Sequence, residues 1–309
     1  MTGDLSSPLA DGAPLLSPRA GRVVNAMSVD VEDYFQVEAL SACFPRQHWD
    51  EVACRVEGNV DRLLALFEGA GVRATFFVLG WVAERYPELI RRIVAGGHEI
   101  ASHGCTHIRA DRQQRDEFKA DLRRSKKLLE DLSGCPVRGY RAPSFSIGRS
   151  NLWAFEALES EGYAYSSSVY PIRHDLYGLP EAPRFPFHPG DGSLLEIPMT
   201  TAVRFGCKLP CAGGGYFRLL PYALSRANLR RVNAVDGRPC VFYFHPWEID
   251  PEQPRQSEIS WRTRVRHYVN LSRMEKRLAR LLTDFNWSRI DHVFFADNCQ
   301  AVAPRIQFH

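Results

Sequence analysis

Residues 74–107, ATFFVLGWVAERYPELIRRIVAGGHEIASHGCTH, decide the fold. The run from Ala74 to Leu79 is aromatic and branched, as a buried strand requires. Pro87 to Ala95 reads as a helix, with proline in its first turn and Gly96-Gly97 at its end. Glu99-Ile100-Ala101 follows as a second short strand and delivers Ser102-His103-Gly104-Cys105-Thr106-His107. Two imidazoles thus stand four residues apart at a strand end. If the backbone turns there, both rings fall on one side. Two neutral imidazoles and a carboxylate from elsewhere can hold a divalent metal with positions left open. Gly104 lets the loop pass close to a ligand. Taken alone, two such histidines are equally at home on a surface or in a core.

Outward from this unit the same alternation continues. Upstream, Val23 to Val29 reads as a buried strand ending in an acidic tip, Asp30-Val31-Glu32-Asp33, and Asn59 to Gly71 as a helix with a glycine stop. Downstream, Asp116 to Leu132 is the clearest amphipathic helix, closed by Gly134. Gly139-Tyr140-Arg141, Ala164 to Val169, Leu194 to Met199 and Val241 to Phe244 read as strands, and Leu152 to Leu158 as a helix. One helix is expected over Leu219 to Val232, a long polar one over Trp261 to Leu282, and a last strand over His292 to Ala296. Alternation without repeat or linker predicts a parallel sheet in one domain, and so many units favour a closed barrel over an open sheet. Chemistry in such barrels gathers at the carboxyl ends of strands. Asp30 to Asp33, His103, Arg141 and His245 all fall directly after predicted strands.

Composition narrows the classes. With 309 residues, 45% hydrophobic and 24% charged, the chain has ordinary globular content. The net charge of +3 reads as spread along the sequence, which leaves no footprint for nucleic acid. All but five of the 39 basic residues are Arg, a bias read as genomic. Eight cysteines form no C-x-x-C pair; Cys207 and Cys211 are the closest, and a zinc knuckle from them would need two partners that are not found. Reduced, packed thiols are expected. No apolar run reaches membrane-spanning length. Residues 1–22 are rich in Pro, Gly, Ala and Ser and lack an apolar stretch behind a positive start, so a disordered leader and a cytoplasmic enzyme are expected.

The polar candidates suggest a metal hydrolase. In an extended strand Asp30 and Glu32 share a face, while Asp33 points away unless the chain turns. One carboxylate on a metal and another beside a water would suit hydrolysis of a carbonyl; three acids at a strand end are otherwise a solvated loop. His245, among Phe242, Tyr243, Phe244 and Trp247, could protonate a leaving nitrogen or simply pack. Arg141 could fix a carboxylate or a substrate oxygen, or form a structural ion pair. Gly213-Gly214-Gly215-Tyr216-Phe217-Arg218 could be a sugar-binding loop or only a tight turn.

In order, Asp30-Val31-Glu32-Asp33, Ala74 to Gly80, Ser102 to His107, Arg141-Ala142-Pro143-Ser144 and the late His245 resemble the motifs of NodB-type polysaccharide deacetylases. Val29 to Phe35, Ser166 to Asp175, Gly213 to Phe217 and His245-Pro246-Trp247-Glu248-Ile249-Asp250 resemble the branch associated with bacterial exopolysaccharide and exosortase loci. The resemblance spans residues 23–300 and implies a distorted (β/α) barrel with a family-specific C-terminal extension, before a tail at 301–309. It implies hydrolysis of N-acetyl groups from amino sugars with a divalent metal, zinc by expectation. Asp30 would be the base, His103 and His107 ligands, Arg141 the residue orienting the base, and His245 the acid. Many members carry two adjacent aspartates where this chain has Val31 after Asp30. The carboxylate ligand is therefore Glu32, preferred for its strand face, or Asp33. Ser144, Tyr216 and Trp247 are expected to bind the sugar, with a backbone N–H near Ser144 or Phe145 meeting the oxyanion. An N-acetylated glycan is the expected partner, with recruitment to exopolysaccharide machinery possible. Hydrolysis of a small non-sugar amide or imide, and a silent glycan-binding barrel, are the alternatives.

Overall fold

A computed structural model describes residues 23–295 and 303–308; the expected leader (1–22), Cys299 and residues 301, 302 and 309 of the tail lie outside them. Eight strands form the main sheet: β1 (Val24–Val31), β2 (Thr75–Val78), β3 (Glu99–Ser102), β4 (Gly139–Tyr140), β5 (Tyr165–Ser166), β6 (Leu195–Glu196), β7 (Val241–Phe244) and β8 (Asn286–Ser288). The spatial order is β7-β1-β2-β3-β4-β5-β6, with β8 also paired to β1, and every pairing is parallel. The sheet curls into a distorted half-barrel. Among the described residues no ladder joins β6 to β7; instead the Val241 N–H donates to the Thr200 hydroxyl (2.7 Å), bridging the two edges.

Alternation along the strands sorts the core. Met27, Val29, Val31, Phe76, Val78, Phe242 and Phe244 pack outward against the helices in one large cluster. Ala26, Phe77, Val241 and Tyr243 have the opposite parity and join a second cluster inside the curl. Ser28 and Asp30 share the parity of Ala26, so they also face inward. That parity is what carries Asp30 into the barrel mouth.

Helices cover the outer face. Val56–Ala70 ends at left-handed Gly71 (φ 64°), and Arg115–Ser133 at left-handed Gly134 (φ 66°). Pro87–Ala95 forms as expected, preceded by an unexpected short helix, Gly80–Arg85. The helix predicted over Leu219 to Val232 forms as Tyr222–Arg231, opened by Pro221, and a short helix that was not foreseen, Gly214–Leu219, precedes it. Two expectations fail. The helix predicted over Trp261 to Leu282 is two, Trp261–Tyr268 and Leu271–Asp284, broken where Asn270 turns left-handed (φ 53°). The last segment is a helix, Ile290–Phe295, and the last sheet strand comes earlier at Asn286–Ser288. An antiparallel hairpin, Thr201–Arg204 with Cys207–Pro210, was not foreseen. The seven described cysteines are unpaired thiols; Cys135 and Cys207 are exposed rather than packed.

Candidate active site

The mouth at the carboxyl ends of the strands is where the polar candidates meet. β1 ends in Asp30 and Val31, and the chain turns at once, the Glu32 N–H donating to the Asp30 carbonyl (3.0 Å). This brings Glu32 beside the loop after β3. That loop is no helix: Gly104 (φ 76°) and His107 (φ 53°) both turn left-handed, and the two rings stand 5.3 Å apart. Gly104 is needed there, because a Cβ would meet Asp121 Oδ2 at 2.9 Å. Arg46 pins the loop from outside, donating to the carbonyls of Thr106 and His107 (2.8 Å each).

Glu32, His103 and His107 place three possible ligand atoms within 4.8 Å of one another. Glu32 Oε2 lies 2.7 Å from His107 Nε2 and 4.0 Å from His103 Nε2, yet it is buried and accepts no hydrogen bond of acceptable geometry. Lone pairs that crowd without hydrogen bonding suit a shared cation. The second ring is prepared for it: His103 Nδ1 donates to the Arg141 carbonyl (2.8 Å), which leaves Nε2 as the free lone pair. Burial lowers the His103 pKa to about 4, so the ring is neutral at physiological pH. The residues present therefore fit a divalent metal. Asp33, the other candidate ligand, is turned away. Its oxygens accept from the N–H groups of Tyr34 (2.8 Å), Arg55 (2.5 Å) and Val56 (2.8 Å), capping the helix that starts at Val56.

Asp30 is gripped by Arg141. The fully buried guanidinium donates to Asp30 Oδ1 (2.5 Å) and to the Ser28 hydroxyl (2.9 Å), and Ser167 holds it through its carbonyl and its hydroxyl (3.0 Å each). Asp30 Oδ2 stands 4.0 Å from His245 Nε2, and Glu32 Oε1 stands 3.5 Å from the same nitrogen. The side chains of Asp30, Glu32, His103 and His107 are at most 4% exposed, whereas His245 is 20% exposed. Of these five side chains, His245 is the one that solvent reaches most.

Two residues without an expected role complete the site. The Pro246 turn brings Glu248 back so that its Oε1 accepts from His245 Nδ1 (2.8 Å) and from the His245 N–H (3.1 Å). Its Oε2 accepts from Arg218 Nε (2.6 Å). Burial opposes charge on His245, but Glu32 and Glu248 outweigh it and raise the pKa to about 9. Glu32 is likewise pulled to about 2 against its burial, chiefly by His107 and His245. The spacing His245-Pro246-Trp247-Glu248, with proline opening a turn, was the signal for this partner.

The remaining candidates stand differently. Trp247 is not a sugar platform: it is 6% exposed and sandwiched between the rings of His245 (5.2 Å) and His267 (4.4 Å). Of the glycines at 213–215, the first two serve close packing, while Gly215 is exposed with open space around it. A Cβ on Gly213 would meet the Tyr243 ring at 2.6 Å, and one on Gly214 would meet the Glu248 carboxylate at 2.1 Å. Tyr216 is half-buried and packs, with Tyr177, against the cluster that holds Tyr243. Ser144 and Phe145 are both left-handed (φ 55° and 50°); the Phe145 N–H already donates to the Ala142 carbonyl (3.0 Å), so it does not await an oxyanion.

Comparison with known proteins agrees with this reading. The polysaccharide deacetylase family model matches residues 48–165, which hold His103, His107 and Arg141. A domain of unknown function (DUF3473) matches residues 167–295, which hold His245 and Glu248. Asp30 and Glu32 precede both. A peptidoglycan deacetylase of Helicobacter pylori is 33% identical over 113 residues, 37% of this chain and 38% of its own. A chitooligosaccharide deacetylase of a Bradyrhizobium species is 34% identical over 102 residues, 32% of this chain and 43% of its own. The chain spans 35–38% of the length of the first curated relatives it matches. In fold, a crystal structure from Mycobacterium smegmatis, assigned to the polysaccharide deacetylases, matches with a TM-score of 0.62 at 22% identity, covering 97% of this chain and 98% of that one. The family model and the relatives support kinship with the polysaccharide deacetylases, and the fold is theirs.

Proposed function

We propose that this kin of the polysaccharide deacetylases is a metal-dependent hydrolase that removes N-acetyl groups from amino sugars of a bacterial polysaccharide. The reading rests on one juxtaposition: an Arg-held aspartate, a Glu/His/His group and a histidine with a raised pKa meet around a single opening. Glu32, His103 and His107 would hold the divalent metal, zinc by the donor set, and the metal supplies Lewis acidity toward the acetamide carbonyl and its attacking water. Arg141 fixes Asp30 Oδ1 and leaves Oδ2 to take the proton of that water. His245, protonated below about pH 9, faces the same space and donates to the leaving nitrogen. Glu248 holds its ring from behind through Nδ1, so Nε2 carries the transferred proton.

Acetate release by the purified protein with added divalent metal, over a panel of N-acetylated glycans, tests the proposal. Asp30→Asn is expected to cut turnover by about 100-fold or more while metal content stays that of the parent. A fully metal-loaded protein that releases no acetate from any N-acetylated glycan overturns the reading. Cyclic ureides and imides in the same panel would reveal the non-sugar alternative. An exopolysaccharide as substrate, a cytoplasmic location and recruitment to an exopolysaccharide machinery belong to the same proposal; cell fractionation checks the location. Among the described residues no helix is long and apolar enough to cross a membrane.

A further inference from the structure

The positive charge of this chain is not evenly spread. Eight basic residues and two acidic ones stand between Arg255 and Arg280, an excess of six in a chain whose net charge is +3. At the centre is the helix Trp261–Tyr268, with Trp261 70% and Val265 46% exposed one turn apart. Arg262 and Arg266 flank this apolar ridge on one side and Arg264 on the other, all exposed. Only Arg266 among these three has an acidic partner, Asp175, across an exposed 3.0 Å contact.

The patch is continuous with the catalytic mouth. Tyr243 sets its ring edge-on to His245, 5.9 Å away. Tyr177 and Tyr216 pack against the cluster that holds Tyr243, and the His174 ring stacks on Tyr177 at 4.0 Å. Arg266 lies within electrostatic reach of both His174 and Tyr216. A path thus runs from His245 by way of the buried Tyr243 to the half-buried Tyr177, Tyr216 and His174, then to Arg266 and to Arg262, whose guanidinium covers the Trp261 ring at 5.6 Å. The helix is also tied to the acid. Its carbonyls at Arg266 and His267, with that of Val269, accept from the buried Arg218 that holds Glu248.

Aromatic faces suit pyranose rings, and guanidinium forks suit carboxylates or phosphates. From this path we infer that the substrate is an acidic polysaccharide, whose charged sugars beside the reacting unit lie along the ridge of Trp261, Arg262 and Arg266. The inference rests on the deacetylase reading, but binding tests it without turnover. A bilayer with anionic lipid is the other surface that such a helix could meet; the continuity of the patch with the mouth favours the glycan.

The experiment compares hyaluronan oligosaccharides, in which uronate alternates with N-acetylglucosamine, with neutral N-acetylchitohexaose by calorimetry on the full chain. Tighter binding of the acidic oligomer is expected, weakening as salt rises. Arg262→Glu/Arg266→Glu, both exposed and expected to leave the fold intact, should weaken it about tenfold and change the neutral oligomer less than about twofold. Trp261→Ala should weaken both. Equal affinity for the two oligomers, or equal losses in the double variant, overturns the inference. So does retention on phosphatidylglycerol vesicles, lost in the double variant, without preference between the oligomers. Acetate release as fast from a neutral glycan as from an acidic one, with the acidic rate unchanged by the double variant, would overturn the inference and leave the deacetylase reading standing. No release from any glycan, with acidic preference intact, would do the reverse.

Discussion

His245 carries the most information per atom. Its proton is kept by two carboxylates, Glu32 at 3.5 Å from Nε2 and Glu248 at 2.8 Å from Nδ1, against the pull of burial. Glu248→Gln removes one of these charges, so the alkaline limb of kcat/KM, expected near pH 9, should move toward the ordinary histidine value of 6.5. The same substitution leaves Arg218 buried without a counter-charge, at a cost of about 3–5 kcal/mol. Adding Arg218→Met should recover much of that stability in a denaturant titration while the limb stays displaced. Sequence alone gave His245 a role and left Glu248 without one, because a partner three residues on matters only once Pro246 is seen to turn the chain. Strand parity preferred Glu32 to Asp33, and Glu32 does stand beside the two histidines, though by the turn after Val31 and not by an extended strand; what parity could not show is why Asp33 is acidic, namely three backbone N–H groups at a helix start.

That capping role makes the acidic tip separable at the level of elements. Asp33→Ala should destabilise the fold by about 1–2 kcal/mol, seen as a lower denaturation midpoint, and leave metal affinity unchanged. Glu32→Ala should do the opposite, abolishing tight metal binding. The loop after β3 gives a second test. His107 is held at φ 53°, a conformation costly for a residue with a Cβ, and Arg46 clamps its carbonyl. Arg46→Ala is expected to weaken metal binding about tenfold, measured by competition with a chromophoric chelator. Neither clamp nor conformation was visible in the spacing of His103 and His107, which suggested a helical turn. The split of the helix expected over Trp261 to Leu282 was missed for a related reason: Asn270 interrupts an apolar pattern whose period continues across the break.

For the molecule as a whole, the buried acids and histidines set a pH window. Burial raises Asp33 to about 6 and Glu99 and Glu196 to about 7, and the carboxylates raise His245 to about 9. Groups raised on folding contribute stability at low pH that is lost as pH climbs through those values. Glu32 and Glu248 are lowered to about 2, and His98, His103 and His267 to about 4, 4 and 3, so their contribution is lost as pH falls. The two sets oppose each other between the reference values of 4.5 and 6.5. The metal-free protein should therefore melt highest in that interval and decline on both sides in a thermal scan. Restoring metal at neutral pH should raise the midpoint further, by mass action on the folded state. The barrel itself was legible from alternating elements, each of which declares its own period. The gap between β6 and β7 was not, because a seam bridged at Thr200 depends on how stagger accumulates around the sheet and on no local signal.

Arg141 has one more implication. Its side chain grips the proton acceptor while its own carbonyl receives the ring of His103, so a single residue sets the alignment of two otherwise unrelated groups. Any shift of that peptide would derange both together. Gradual adjustment of this site is thus barred at its centre and open at its rim, where exposed side chains such as Trp261 and Arg262 align neither group.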